Sequence, residues 1–196
     1  MPREEQAAAT RTELLRVARE LFAARGFADV GTEEIVRTAH MTRGALYHHF
    51  ADKRDLFRAV HTQLVEEVLA TIVGRTAGSA DPWEALTRGV RAFLDACTDP
   101  AVIRICHLDA PAVLGWAEWR EIDAHHWLGL VAMALQEAMD AGQLPRREVQ
   151  PLAHMLLGAM VEASMMIANA ADPEAARHEV EGPLLALLEG LRVERA

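Results

Sequence analysis

Two cysteines, Cys97 and Cys106, are all that the 196-residue chain contains. A small secreted scaffold held by disulfides would use more. Aromatic residues make up only 5% of the chain, with a single tyrosine. No uninterrupted apolar run reaches the roughly 18 residues of a bilayer-spanning helix, so no membrane partner is expected. The opening stretch, "MPREEQAAATRTE", is polar and lacks the apolar centre of a secretory leader. A cytoplasmic location is therefore expected. Strand-like alternation bounded by turn residues is missing throughout. So are the nucleophile elbow, the phosphate-binding glycine loop, the dinucleotide glycine motif and the paired histidines of zinc proteases. An enzyme is not expected, nor a cofactor or a metal.

What is present points to helices. Hydrophobic residues are 51% of the chain, enough for a real core. Ala and Leu are abundant and β-branched residues few, which favours an all-α fold. The formal net charge is -9, but it is unevenly spread. Residues 1–60 hold 10 Lys+Arg and 9 Asp+Glu, a net of +1, whereas residues 61–196 hold 10 and 20, a net of -10. The acidity is confined to the last two thirds, and the first third can sit beside phosphates.

The periodicity predicts about nine helices. The first runs over residues 10–25, with Thr10 and Glu13 as a capping box, an apolar stripe from Leu14 to Phe22, and Gly26 after its end. Thr32 is expected to cap a second, short helix with Glu33 and Glu34 in its first turn. Thr42 is expected to cap a third, "RGALYHHF", and Asp52 a long fourth. After a linker at residues 76–82, five more are expected near 83–97, 101–108, 114–141, 148–170 and 174–191, with prolines and Gly142 between them. Two short helices joined by a tight turn and packed on a preceding helix form a helix-turn-helix, whose second helix enters the major groove of double-stranded DNA.

The pattern "GTEEIVRTAHMTRGALYHHFADKRDLF" resembles the DNA-binding segment of the TetR (tetracycline-repressor-like) regulators. The resemblance covers roughly residues 10–60. It implies that Thr32 meets a phosphate, that Thr42, Arg43 and Gly44 open the recognition helix toward bases or phosphates, that Tyr47 and His48 touch the backbone or a thymine methyl, and that Lys53 meets a phosphate. Leu46 and Phe50 are implied to be packing residues. Two positions depart from the family pattern. His40 stands where the turn usually has glycine, a position histidine tolerates better than most residues. Val36 stands where alanine is usual.

Taken by its chemistry, Arg43 can contact guanine O6 and N7 with two hydrogen bonds, or phosphate alone. Gly44 either lets the helix approach DNA closely or is a packing glycine. His48 and His49 point about 100° apart on a helix, so a shared metal is not expected.

The later stretch "HLDAPAVLGWAEWREIDAHHWLGLV" is similar to a branch of TetR-like effector domains. That implies a dimer and a cavity for a small molecule. Tryptophans and methionines cluster in the second part of the chain, suiting a largely apolar or aromatic effector. The candidate effector-binding residues are Phe93, His107, Trp116, Trp119, His126, Met133 and Met165. The last two helices carry wide apolar stripes suited to a homodimer contact across a two-fold axis, which in turn implies a palindromic operator. The expected organisation is a DNA-binding domain at residues 1–55 and a helical effector-binding and dimerisation domain at 56–196. The leading functional expectation is a repressor released by its effector; the alternative is a DNA-binding regulator or architectural protein without one.

Overall fold

The structure is a computed structural model that describes residues 3–192, with side chains described from residue 5. Among the described residues there are nine α-helices, one π-helix and no strand. The helices are α1 (Arg3–Arg25), α2 (Thr32–Thr38), α3 (Arg43–His49), α4 (Lys53–Thr76), α5 (Pro82–Ala96), α6 (Ala110–Leu114), α7 (Trp116–Asp140), α8 (Val149–Ala168) and α9 (Pro173–Glu189). The π-helix, Val102–Asp109, lies between α5 and α6. The chain divides into two compact units, one formed by residues 1–64 with 100–119, the other by residues 65–99 with 120–196.

In the first unit α1, α2 and α3 pack on one another. Leu14, Ala18 and Phe22 of α1 are fully buried with Ile35 of α2, Leu46 of α3 and Phe57 of α4. Phe22, Phe27 and Phe57 form an aromatic triangle with ring centroids 5.2–5.8 Å apart. The start of α1 corrects the sequence expectation. The alanine-rich "EEQAAA" continues the helix back to Arg3, and the Thr10 hydroxyl donates to the Gln6 carbonyl at 2.9 Å instead of capping. Gly26 does end α1, at φ +82°, with its N–H on the Phe22 carbonyl.

The π-helix joins this unit at the end of α1. The Asp109 carboxylate accepts the Phe27 backbone N–H at 2.6 Å, and Arg104 donates to the Arg25 carbonyl at 3.3 Å. Arg54 of α4 donates to the carbonyls of Val113 and Leu114, each at 3.0 Å, where a cation suits the negative end of α6. Arg54 and Arg58 both bond Glu118, and these two guanidinium groups hold its carboxyl below the usual glutamate range.

In the second unit α5, α8 and α9 pack together. Arg177 of α9 is buried, and its guanidinium meets Asp95 of α5 at 2.7 Å and also Glu181. Arg75 and Arg91 reach the same two carboxylates at 2.9 and 2.8 Å. The buried guanidinium is thus paired with two carboxylates, which is the condition for tolerating it. Helix α8 is long and apolar enough to cross a membrane by length and composition. Its apolar residues are partly accounted for within the unit, where Leu157, Ile167 and Ala153 are fully covered.

Candidate functional site

The turn between α2 and α3 is built by backbone hydrogen bonds. His40 donates to the Arg37 carbonyl at 3.1 Å, and Met41 to the Val36 carbonyl at 2.8 Å. These are the two bonds of a Schellman ending, and the motif requires a left-handed residue at its centre. His40 takes that role with φ 53°, as its place in the sequence led us to expect. The cap of α2 differs from expectation: Gly31 is the capping residue, without a side-chain bond, and Thr32 is the first helical residue. Thr42 caps α3 as expected, its hydroxyl accepting the Ala45 N–H at 3.2 Å. Asp52 precedes α4 and accepts the Asp55 N–H at 2.7 Å.

These caps fix which face of α3 is free. Leu46 is fully buried and Phe50 nearly so, while Thr42, Arg43, Gly44, Tyr47 and His48 all face solvent. A Cβ added to Gly44 would meet only the Thr42 hydroxyl, at 3.9 Å, so packing within this chain does not require glycine there. Arg43 lies over the Tyr47 ring at 5.5 Å and 3.7 Å from Glu33. Hydrogen bonds to Thr32 and then Arg43 draw the Tyr47 hydroxyl below its ordinary pKa. Half-buried Thr32 and exposed Arg43 and Tyr47 therefore form one polar cluster spanning both helices of the motif.

Lys53 is half-buried, its ammonium 4.0 Å from the centre of the Phe27 ring. Burial lowers its pKa, opposed by the charges of Asp109 and Asp29. The rings of His48 and His49 meet edge to face at 5.1 Å. Burial, and then the charges of His48 and Arg11, lower the His49 pKa. A cation is thus disfavoured at His49.

The second unit holds a cavity of about 260 Å³. Its walls come from the end of α4, from α5, α7 and α8, and they are mostly apolar. Phe93 and Met133 line it, as the sequence suggested. The other five candidates do not. His107 and Trp119 are buried in the first unit, and Trp116 is 63% exposed with its ring 5.0 Å from that of Trp119. His126 bonds the Ile122 carbonyl at 2.8 Å, and Met165 is half-buried on α8. Trp127, Leu130, Ala134 and Glu137 of α7 do line the cavity and were not among the candidates. Their spacing of three and four was a readable signal of one helix face. Trp127 packs edge to face on Phe93 at 5.7 Å.

Residues 14–60 match the family model described as bacterial regulatory proteins, tetR family. Residues 83–191 match the tetracyclin repressor-like C-terminal domain. The chain belongs to the TetR family. A TetR-family transcriptional regulator of Pectobacterium atrosepticum, solved as a crystal structure, is 33% identical over the whole of both chains, with a TM-score of 0.89. The transposon Tn10 TetC protein of Escherichia coli is 28% identical over 79% of this chain and 78% of its own. The structure of RolR in complex with the ligand resorcinol shares the fold, with a TM-score of 0.70 at 20% identity over 94% of this chain and 90% of its own. TetR proteins are DNA-binding transcriptional regulators, not enzymes, and residues 14–60 match their helix-turn-helix domain.

Proposed function

We propose that the chain is a cytoplasmic repressor, released from a palindromic operator when a small, largely apolar or aromatic effector enters the cavity of the second unit. The cavity carries the effector half of this reading: an apolar volume of about 260 Å³ walled by Phe93 and Trp127 in a chain that also bears a helix-turn-helix. Thr32, Thr42, Arg43, Gly44, Tyr47, His48 and Lys53 would contact double-stranded DNA. We assign DNA reading to residues 1–55, and effector binding and dimerisation to residues 56–196.

The homodimer would form through α8 and α9. Met155, Met166 and Leu187 are 72%, 54% and 64% exposed there, an apolar display that a single chain leaves uncovered. A two-fold dimer presents two recognition helices to two half-sites.

A genome-wide map of bound sites, made with and without candidate small molecules, tests the reading. The expected result is a set of near-palindromic sites whose occupancy falls with one chemical class. By linkage, operator DNA should weaken binding of that molecule by the same factor. Sites that no bound molecule empties would leave a regulator without an effector.

A further inference from the structure

We propose that the effector is an elongated lipophilic cation, an ammonium group on a slender apolar body, with its charge at Glu137. The inference rests on the effector reading above and names the ligand class of the same cavity. Among the described residues, Glu137 is the only ionisable side chain in the lining, and no described lysine or arginine lines the cavity. It is exposed at the cavity's edge and makes no ion pair or side-chain hydrogen bond with any described residue. Its neighbour Asp140, by contrast, lies 3.4 Å from Arg146.

The geometry gives the ligand a length. Trp127 and Glu137 sit on one face of α7, and ten residues of helix span about 15 Å. Leu130 and Ala134 fill the interval with apolar surface. At about 260 Å³ the cavity lies below the roughly 300–1,000 Å³ usual for ligand pockets, so it takes a single narrow body. Such a ligand lays its apolar part against Trp127 and Phe93 and leaves its head at the wet edge beside the carboxylate.

Charge decides between head groups. A carboxylate head would be brought beside Glu137 with no base to counter it, and an unpaired anion loses hydration without compensation. An ammonium head meets a free carboxylate where the apolar wall excludes part of the water. The net charge of -10 over residues 61–196 adds a field of the same preference.

The test compares decylamine, decanol and decanoate, each below its micellar concentration at neutral pH, by calorimetric titration of the full-length chain. Decylamine should bind at least about tenfold more tightly than decanoate, with decanol between them, since about 1.4 kcal/mol is a factor of ten. Glu137→Gln should remove most of the decylamine advantage and leave decanol unchanged. Ala134→Trp, which fills the cavity, should abolish all three. Equal affinity for amine and alcohol, or an amine preference that survives Glu137→Gln, overturns the cation assignment and leaves the effector reading standing. Binding that persists in Ala134→Trp overturns the placement in this cavity. Failure of all three compounds to bind overturns the elongated-ligand assignment, and the effector reading then rests on the genome-wide map alone.

Discussion

Asp109, at the end of the π-helix, accepts the backbone N–H of Phe27 at 2.6 Å, across 82 residues of sequence. The bond satisfies a donor just past the end of α1, on the loop that leads into the helix-turn-helix. Asp109→Ala should lower the unfolding free energy by about 1.5–3 kcal/mol, the range for hydrogen bonds to charged groups. Asp109→Asn, which keeps an acceptor oxygen, should lose less. A denaturant midpoint that Asp109→Ala leaves unmoved would dismiss this contact as a stabilising one.

Gly26 is constrained twice. Its φ of +82° disfavours any Cβ, and a Cβ there would lie 1.9 Å from the Arg104 guanidinium. Gly26→Ala should therefore destabilise the chain in two parts: about 1–2 kcal/mol for the backbone and a further part for displacing Arg104. In an Arg104→Ala background only the backbone part should remain. Equal losses in both backgrounds, measured by denaturant unfolding, would show that the guanidinium moves aside freely.

Arg43 and Lys53 should behave differently on DNA. Arg43 projects from the exposed face of α3, so Arg43→Ala should weaken operator binding unequally across base substitutions. Lys53 is the chain's only lysine. Lys53→Ala should weaken binding evenly and lower the slope of log affinity against log salt by about one. Because Lys53 also rests on Phe27, the same variant should lose some stability. Wild-type operator affinity in both variants would remove this docking.

Two buried groups make opposite demands on pH. Burial raises Asp123 from 3.8 to about 6, against the charges of Arg120 and His126, and lowers His107 from 6.5 to about 4, helped by the charge of His61. Between about pH 4 and 6 the folded chain holds more protons than the unfolded one at Asp123, so that group makes stability fall as pH rises. At His107 the unfolded chain holds more protons from about pH 4 to 6.5, so stability rises. The contributions of these two groups should largely cancel in the shared window. Asp123→Asn should expose a rising slope and gain up to about 3 kcal/mol above pH 6, at about 1.4 kcal/mol per unit. His107→Gln should expose a falling one. A series of denaturant midpoints against pH checks all three chains, and parallel curves would contradict the opposition.

The helix-turn-helix was legible because its signals are local. Thr42, His40, Gly26 and Asp52 each act on backbone groups within a few residues, and the exposed face of α3 follows from the spacing of Leu46 and Phe50. Local signals also misled where two compete. Thr10 and Glu13 have capping-box spacing, but the alanines before them favour helix and turn the Thr10 hydroxyl into a back-bond. The bonds of Asp109 to Phe27 and of Arg104 to the last residue of α1 left no trace in the sequence, since no periodicity relates residues 82 or 79 apart. Nor could scarcity of aromatics assign sides: Trp119 fills the first unit while Trp127, eight residues on, walls the cavity of the second.

The chain closes two of its helices with the same turn. At the end of α7, Gly142 holds φ 70° between an N–H on Met139 and a Gln143 bond to Ala138; at the end of α2, His40 holds the equivalent place. The histidine is exposed and carries a conformational penalty that glycine escapes. The most conspicuous departure in the DNA-reading motif is thus a reserve of unclaimed stability. His40→Gly should raise the melting temperature by a gain of up to about 1 kcal/mol, without altering one side chain on the exposed face of α3.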